Sequence, residues 1–388
     1  MSRFEELIEK LCPNGVEYKK LGECCIIKRG RRVTKNELDP GKKYPVYSGG
    51  VTPMGYFEKF NQHANTITVV KYGTAGFVNF ILEDFWANDV CYCVKPMDGV
   101  DNKYIFYVLK SKQDFIQSQA TNAIPAHLPT DVIESFPIPL PPLPIQQEIV
   151  SILDKFTRLE AELESELEAR RKQYKYYRNE LFNFEGKEIE SKTLGKIGEF
   201  IRGKRFVKKD IVSEGVPCIH YGEMYTHYNI WARESKSFLE PALAANLRVA
   251  HPGDVIIVAA GETIEDIGNG VAWLGESDIV THDACFTYTH SLNPKYVSYY
   301  LQTNFFRSQI KRYISSGKIS SINAPGLSKA KIPIPPISEQ ERIVGILDKF
   351  DKLVNDISIG LPAEIAARRK QYEYFRGKLL DFKNVNNG

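Results

Sequence analysis

The sequence lacks any long apolar run, and its cysteines are not arranged in metal-binding pairs. No stretch of 18 or more apolar residues occurs among the 388 residues, which predicts no membrane span. The opening residues MSRFEELIEK contain no apolar segment, so we expect no secretion signal. Seven cysteines at irregular spacings, without a CxxC pair, favour free thiols in a reducing cytoplasm and argue against structural zinc. The sequence therefore predicts a cytoplasmic protein without a structural metal.

Recognisable catalytic motifs are also missing. GEFIRGKR at 198–205 comes near the phosphate-loop pattern GxxxxGK[ST], but Arg205 stands where a magnesium-binding hydroxyl is required. NPKY at 293–296 differs from the Asn-Pro-Pro-Tyr motif of amino-methyltransferases, because Lys295 replaces the second proline. Neither a dinucleotide-binding glycine turn nor a Ser-His-Asp arrangement can be identified. These absences predict a binding protein with no metal and no cofactor of its own.

What the sequence does contain is positive charge concentrated in two segments. The formal net charge of the chain is only +3. Residues 19–43 nevertheless contain nine Lys or Arg against three acidic residues, and residues 192–209 contain seven against one. Two basic segments on a nearly neutral chain indicate two anion-binding faces, with two solvated surface strands as the alternative.

The two halves of the sequence repeat one another. LGECCIIKRGRR from Leu21 matches LGKIGEFIRGKR from Leu194, an offset of 173 residues. NDVCY at 88–92 then matches HDACF at 282–286, KYIFYVL at 103–109 matches KYVSYYL at 295–301, and IPLPPL at 138–143 matches IPIPPI at 332–337. The last match, ARRKQYKYYR from Ala169 with ARRKQYEYFR from Ala367, has an offset of 198. The chain is therefore a tandem duplication of a domain and its following helix, with similar ends and divergent middles.

Each copy is predicted to be a mixed α/β domain followed by a long helix. The β-branched runs at 65–73 and 253–261 predict buried strands, and the aromatic spacing at 102–119 and 294–313 predicts helices. No Gly or Pro interrupts residues 145–184, and their apolar positions follow a helical pattern, which predicts one helix of about 40 residues. Gly360 and Pro362 should kink or break the equivalent second helix.

The apolar seams of these helices predict an antiparallel coiled coil with pseudo-twofold symmetry, although a parallel pair remains possible. An N-terminal helix at 3–11 repeats the helix end that precedes the second domain. The expected divisions are a first domain at 1–145, a first helix at 146–185, a second domain at 186–337 and a second helix at 338–388. The predicted seam residues are Ile149, Ile152, Phe156, Leu159, Leu163, Leu167, Tyr174, Tyr177, Leu181 and Phe184, then Ile343, Ile346, Phe350, Leu353, Ile357, Ile365, Tyr372, Phe375, Leu379 and Phe382.

The side chains of the basic segments and of the glycine-bounded loops suit contact with double-stranded DNA. Arg and Lys neutralise phosphates, and Arg, Lys, Asn, Gln, Ser, Thr and acidic groups read base edges. For every candidate, an ordinary loop or core role is the alternative, and Tyr104, Tyr107, Tyr296 and Tyr299 are expected in the core. Candidate phosphate or backbone contacts are Lys28, Arg29, Arg31, Arg32, Arg202, Lys204, Arg205 and Lys318. Candidate readers are Tyr47, Ser48, Lys71, Tyr72 and Thr74 in the first copy, and His220, Tyr221, Glu262 and Thr263 in the second.

The motif PxPPxxxQ(E)xIVxILDKF followed by ARRKQYxYYR/F, present twice, resembles the specificity subunit of a type I DNA restriction–modification system. The resemblance extends over essentially the whole chain. One departure is Pro144, which stands where the second copy has the good helix cap Ser338, so the first helix is expected to start a residue or two later.

That resemblance implies two target-recognition domains, each binding one half of a bipartite, asymmetric DNA site. The helices would act as a spacer and would dock two adenine methyltransferase (modification) subunits, with restriction motor subunits joining the complex. The chain itself would be non-catalytic, and S-adenosylmethionine, ATP and Mg would be used by the partner subunits. The alternatives are a stand-alone DNA-modifying enzyme with fused recognition domains and a coiled-coil adaptor that does not bind DNA.

Overall fold

The computed structural model describes residues 3–121 and 123–385 and groups the chain into two units. The first unit comprises Met1–Glu164 with Ile365–Gly388, and the second comprises Ser165–Glu364. Each unit contains one globular domain together with part of each long helical region. No helix within the described ranges is long and apolar enough to cross a membrane.

The domain of the first unit is built around a four-stranded antiparallel sheet. Its strand Thr66–Val70 is buried at all five residues, as expected for a β-branched run in the middle of a sheet. The strands of this sheet, in spatial order, are Cys25–Arg29, Cys91–Pro96, Thr66–Val70 and Val78–Ile81. The smaller sheets are Tyr56–Phe57 with Tyr44–Tyr47 and Trp86–Ala87, and Tyr18–Lys20 with Pro137–Pro139. The helices are Arg3–Leu11, Leu21–Cys24, Asn102–Ser111, Gln113–Ser118 and Thr130–Glu134, with a 3₁₀ turn at Lys35–Glu37.

The domain of the second unit repeats this plan and enlarges it. The sheet corresponding to the first copy has the order Gly198–Arg202, Cys285–His290, Val255–Val258, Gly270–Trp273 and Trp231–Ala232. A second sheet has the order Ile211–Val212, Ser237–Leu239, Val216–Ile219, Ile279–Thr281 and Val249–Ala250. Two-stranded pairs are Ser191–Thr193 with Lys331–Pro333 and Ala260–Gly261 with Ser320–Ser321. The helices are Leu194–Ile197, Glu223–Thr226, Pro241–Ala244, Pro294–Leu301, Asn304–Ile310 and Ala324–Ser328, with 3₁₀ turns at Lys208–Asp210 and Lys311–Tyr313.

The long helix of the first copy covers Leu143–Leu181, and the second copy has two helices, Ile337–Asn355 and Leu361–Leu380. The predicted break before Pro362 is confirmed. The predicted late start of the first helix is wrong, because both helices begin at corresponding positions. Pro144 lies in the first helical turn, where a missing N–H removes no intrahelical hydrogen bond.

Helix pairing is antiparallel within the first unit. The rings of Phe156 and Phe375 stack at 5.5 Å, and the Arg369 guanidinium bonds Glu160 and Glu164, each at 2.5 Å. Later residues of the first helix thus meet earlier residues of the last one. In the second unit Phe350 stacks on the predicted seam residues Tyr174, at 6.2 Å, and Tyr177, at 5.5 Å.

Ile357 does not belong to the seam as predicted, since its side chain is 85% exposed. The helix ends two residues earlier, at Asn355, and the chain then turns through residues 356–360. Gly360 permits this turn because a Cβ there would overlap the carbonyl oxygens of Lys352 and Asp356.

A repeated set of polar contacts, here named the helix junction, joins each domain to the helix that follows it. In the first copy Tyr107 Oη donates to Asp154 Oδ1 at 2.7 Å, and Lys103 Nζ donates to Asp154 Oδ2 at 2.6 Å. This contact explains why KYxxY and ILDKF recur together in the sequence.

The second copy reproduces the helix junction residue for residue. Tyr299 Oη donates to Asp348 Oδ1 and Lys295 Nζ donates to Asp348 Oδ2, both at 2.7 Å. The four tyrosines assigned to the core from sequence, Tyr104, Tyr107, Tyr296 and Tyr299, are all buried, which confirms that assignment.

A buried glutamine completes each junction. Gln146 accepts a hydrogen bond from the Asp101 amide at 2.8 Å and donates to the Pro141 carbonyl at 2.8 Å. Gln340 does the same with Asn293, at 3.0 Å, and Pro335, at 2.9 Å. The Q of the repeated PxPPxxxQ motif therefore satisfies backbone groups that would otherwise be buried without partners.

All seven cysteines are free and buried, which agrees with the free thiols expected from their spacing. Burial raises the pKa of Cys91, Cys93, Cys218 and Cys285 to about 12. These thiols serve as small apolar core residues.

Candidate nucleic-acid interface

Residues 29–32, here called the first basic loop, leave the strand Cys25–Arg29 and lie against residues 87–91. The Arg29 guanidinium donates to the Asp89 carbonyl from Nε at 3.2 Å and from Nη2 at 3.1 Å. The amides of Gly30 and Arg31 donate to the carbonyls of Cys91, at 3.1 Å, and Ala87, at 2.9 Å. Three consecutive residues thus fix the loop against one backbone segment.

Residues 202–205, the second basic loop, are held by the same contacts. Arg202 Nε donates to the Asp283 carbonyl at 2.8 Å. The amide of Gly203 donates to the Cys285 carbonyl at 3.0 Å, and that of Lys204 donates to the Thr281 carbonyl at 3.3 Å. The scaffold that presents the basic loops is therefore duplicated.

The glycine of each basic loop is required by close backbone approach. A Cβ on Gly30 would overlap the carbonyl oxygens of Ala87 and Asn88, and one on Gly203 would overlap those of Thr281 and His282. Only glycine lets the loop lie this close to the opposing strand end.

A side chain at a matching position supports the far end of each loop. Asn88 Nδ2 donates to the Val33 carbonyl at 3.0 Å. In the second copy His282 accepts from the Ala284 amide on Nδ1 at 3.0 Å, so Nε2 carries the hydrogen and donates to the Phe206 carbonyl at 3.0 Å. NDVCY and HDACF align in the sequence, but no role was predicted for Asn88 and His282. Asn88 and His282 occupy matching positions beside an Asp and a Cys that both copies share, and this match could have identified them as supporting residues.

The predicted phosphate-binding side chains lie on or beside these loops. Lys28, Arg31, Arg32 and Arg205 are exposed, whereas part of the hydrogen-bonding capacity of Arg29 and Arg202 goes to a backbone carbonyl. Lys204 Nζ donates to the Asn246 carbonyl at 2.8 Å. The loops therefore combine cations that position the loop itself with cations that face solvent.

The predicted readers of the first copy come together around residues 87–91. The Asn88 amide donates to the Tyr47 carbonyl at 2.9 Å, and the Lys71 amide donates to the Val90 carbonyl at 2.8 Å. Cys91 Sγ donates to the Ser48 carbonyl at 3.0 Å. The loops that contain Tyr47, Ser48 and Lys71 thus border the same segment that holds the first basic loop.

Aromatic contacts orient two of these first-copy residues. Tyr47 lies edge-on to Phe85 with ring centroids 5.5 Å apart, and Tyr72 stacks on His127 at 5.5 Å. Thr74 Oγ1 donates to the Gly49 carbonyl at 3.0 Å, which joins the two glycine-bounded loops. Tyr72 and its stacked histidine are half-buried, so each keeps an accessible edge.

The predicted second-copy residues Arg202, Tyr221, Glu262 and Lys318 line one open cleft of about 510 Å³. Asp283 and the 63% exposed Ile319 also line it, and neither was singled out from the sequence. The cleft places two cations and two carboxylates around an exposed apolar side chain. That combination can pair with phosphates, with base amino groups and with apolar base edges.

The remaining second-copy candidates flank this cleft. His220 packs on Tyr221 with ring centroids 4.6 Å apart and on His282 at 4.9 Å. Thr263 is exposed, and its hydroxyl bonds Asp266. Arg248, which was not predicted from the sequence, donates to the Arg202 carbonyl at 2.7 Å and so supports the second basic loop.

We expect acid to destabilise the second unit through its buried histidines, of which His282 is one. Burial lowers the pKa of His282 below its ordinary value of 6.5, with Asp283 opposing this shift and His220 and Arg205 adding to it. At a pH below about 6.5 the His282 imidazole is protonated in the unfolded chain but stays neutral in the folded chain. Stability is therefore lost as the pH falls below about 6.5. His282→Asn, which installs the residue of the first copy, should make the pH dependence of the unfolding midpoint shallower between pH 7.5 and 5. Each kcal/mol of unfolding free energy that the variant retains at low pH corresponds to an unfolding midpoint about 2–4 °C higher.

An equal slope in wild type and His282→Asn would show that His282 does not contribute to the acid response.

Comparison with known proteins agrees with this duplicated architecture. A family model described as the type I restriction modification DNA specificity domain matches the chain twice, at residues 13–169 and 186–367. The chain is 34% identical to the type I restriction enzyme EcoR124I/EcoR124II specificity subunit of Escherichia coli, over 98% of this chain and 97% of that protein.

Two solved structures share the fold. The S subunit of a type I restriction–modification system from M. genitalium aligns with a TM-score of 0.58 and 19% identity, over 95% of this chain and 97% of the other. A chain from a study of complex assembly and conformational transition in the type I system aligns with a TM-score of 0.63 and 16% identity, over 95% and 98%. The chain is thus a member of the type I restriction–modification DNA specificity family.

Proposed function

We propose that this chain is the non-catalytic DNA-recognition subunit of a type I restriction–modification complex. The observation that carries the proposal is that one scaffold, with the same basic loop, occurs twice and is surrounded by different polar side chains. Residues 1–145 and 186–337 form the two target-recognition domains, and residues 146–185 and 338–388 form the spacer helices. The complex acts in the cytoplasm, in keeping with seven free thiols.

The two basic loops supply the contacts that do not depend on sequence. Arg31, Arg32, Lys204 and Arg205, with Lys28 and Lys318, neutralise phosphates and set the position of each domain on the duplex. Arg29 and Arg202 add to the positive potential of the basic loops while their hydrogen bonds hold those loops in place. Since both copies contain the same scaffold, both engage the DNA backbone in the same way.

The differing side chains supply the sequence-dependent contacts. Tyr47, Ser48, Lys71, Tyr72 and Thr74 read the first half-site, and His220, Tyr221, Glu262 and Thr263 read the second. Glu262 suits a cytosine amino group, because a carboxylate accepts from the N4 donor in the major groove. Two different sets of readers correspond to a bipartite, asymmetric target.

The chemistry belongs to the partner subunits. Two adenine methyltransferase subunits dock on the helices and use S-adenosylmethionine, and restriction motor subunits use ATP and Mg. Support comes from the similarity to a type I restriction enzyme specificity subunit and to a chain studied for complex assembly in such a system.

Mapping methylated adenines across the genome tests this function. Cells that express the chain with its methyltransferase should show a split, asymmetric motif with a fixed gap. Replacing residues 1–145 by the corresponding part of a related protein should change one half of the motif and leave the other half and the gap intact. A continuous motif, or methylation that persists without this chain, would contradict the proposal.

A further inference from the structure

Each domain projects a short loop that is closed in the same way in both copies. The Thr121 amide donates to the His127 carbonyl, and the Ser315 amide donates to the Ser321 carbonyl, both at 2.8 Å. The two closures therefore occupy equivalent positions of the repeat. The loops that extend beyond them, here called the first and second tip loops, are residues 123–126 and 316–320.

The tip loops adjoin the segments that contain the predicted readers. In the first copy the Leu128 amide donates to the Lys71 carbonyl at 2.8 Å, and in the second the Ile322 amide donates to the Ala259 carbonyl at 2.9 Å. Lys71 is itself a predicted reader. Ala259 directly precedes Ala260–Gly261, which line the cleft of the second copy. Each tip loop thus rises from the edge of a candidate DNA-binding site.

A second hydrogen bond reinforces the closure of each tip loop. Thr121 Oγ1 accepts from the His127 amide at 3.2 Å, and the Ser315 carbonyl accepts from the Ser321 amide at 3.0 Å. The His127 ring also stacks on Tyr72. Both tip loops are therefore held firmly at their base, although different groups provide the second bond.

A large apolar side chain stands on each tip loop. Ile124 is fully exposed and Ile319 is 63% exposed. Among the residues that the structure describes, neither belongs to a hydrophobic core cluster or packs against one. A single exposed apolar side chain is common on protein surfaces. An isoleucine on the same projection of both domains, in loops whose sequences otherwise differ, instead indicates a shared contact.

The surroundings of Ile319 favour DNA over a protein as the ligand. The other residues of the second tip loop are Ser, Gly, Lys and Ser, so they do not extend its side chain into an apolar patch of the size that protein interfaces need. The cleft beside it contains Arg202 and Lys318, whose charges attract phosphates.

The chemistry of isoleucine limits what it can do on DNA. Its side chain has no donor or acceptor for a base edge, so it can cover a thymine methyl group or enter between stacked base pairs. A methyl group at the groove surface can be covered by a side chain on a flat surface. Entry into the stack requires an apolar side chain on a projection, which is where Ile124, followed by Pro125, and Ile319 are found.

We propose that Ile124 and Ile319 are apolar wedges that enter the base stack, one in each half of the DNA site. The inference rests on the proposed function, because the DNA in question is the bipartite target. A methyltransferase reaches its base only after that base has left the stack, and an apolar side chain that fills an opened step favours this opening. One wedge in each domain matches one methyltransferase for each half-site.

The test uses the full chain in complex with the methyltransferase encoded with it and the mapped target duplex, labelled at its ends with a fluorescent donor and acceptor. Since wedges kink DNA, binding of the wild-type complex should increase energy transfer between the ends. Ile124→Ala and Ile319→Ala should each raise the Kd about 10-fold and reduce the increase in energy transfer. The double variant should raise the Kd about 100-fold, because the two residues lie in separate domains.

Conservative and distant substitutions provide the controls. Ile124→Leu and Ile319→Leu keep an apolar wedge and should retain both the affinity and the energy transfer. Leu82→Ala removes a side chain that is 73% exposed. Leu82 follows Ile81, which pairs with Thr66 at the end of the central strand away from Lys71, so this variant should bind and kink the target as the wild type does.

The contrary results are distinct from one another. Specific binding without a change in energy transfer, or a double variant that binds and kinks the target as the wild type does, would overturn the wedges alone. A raised Kd with wild-type energy transfer would make the two isoleucines groove contacts and reject their insertion. Equal affinity of the wild-type complex for target and scrambled duplexes would overturn the proposed function instead.

Discussion

Gly203→Ala is expected to weaken binding of both the target duplex and a scrambled duplex by about 10- to 100-fold. The added Cβ would overlap the carbonyl oxygens of Thr281 and His282, so the second basic loop must move away from the strand end that holds it. Overpacking of this kind costs about 1–3 kcal/mol. The hydrogen bonds from Gly203 and Lys204 are lost in the same movement, and with them the position of the loop cations. Fluorescence anisotropy with the mapped target and a scrambled duplex would measure both affinities.

The chain offers a matched control for that substitution. Gly345 lies in the exposed part of a helix with nothing near its Cβ position, so Gly345→Ala should stabilise the protein by about 0.5–1 kcal/mol and leave DNA binding unchanged. Gly30→Ala should act on the first half-site as Gly203→Ala acts on the second. Wild-type specific affinity in either loop variant would show that the loops do not position the domains on DNA.

Asp348→Ala is expected to destabilise the second unit by about 2–4 kcal/mol. The carboxylate accepts hydrogen bonds from Tyr299, whose ring is fully buried, and from Lys295; the side chains of Lys295 and Asp348 are 18% and 33% exposed. Removing it leaves the tyrosine hydroxyl without its acceptor and a mostly covered ammonium group without its counter-charge. Urea unfolding followed by circular dichroism would measure the change.

The first copy provides the comparison for this junction. In the pair of Lys103 and Asp154 the side chains are 41% and 38% exposed, so water replaces part of the lost interaction, and Asp154→Ala should cost less than Asp348→Ala. Asp348→Asn keeps an acceptor for the tyrosine and should be intermediate. An equal or larger loss in Asp154→Ala would contradict the dependence on burial.

The repeat predicted the scaffold well because it marks contacts that each copy needs. Tyr107, Asp154 and their counterparts recur since both ends of each hydrogen bond are side chains, and a shared pattern preserves both. The supports of the basic loops were missed for a related reason. Arg29 and Arg202 donate to the backbone carbonyls of Asp89 and Asp283. Every residue has a backbone carbonyl, so the sequence does not indicate which one accepts the hydrogen bond.

Boundaries were predicted less accurately than elements. The first helix was expected to start late because Pro144 is a poor cap, yet a proline in the first turn costs nothing there. Ile357 was placed on the seam by spacing alone, although the glycine and proline that follow end the helical path before it. The cleft of Arg202, Glu262 and Lys318 joins residues at least 56 positions apart and follows from tertiary structure, which local spacing does not encode.

Because both units contain buried thiols, the reactivity of these thiols can report the unfolding of each unit separately. Five cysteines, Cys12, Cys24, Cys25, Cys91 and Cys93, belong to the first unit, and two, Cys218 and Cys285, belong to the second. Because an alkylating reagent attacks the exposed thiolate, each of these sulfurs is protected until its own surroundings unfold. A brief pulse of iodoacetamide followed by peptide mass analysis therefore reports which unit opens first, with no introduced label and no change to the sequence.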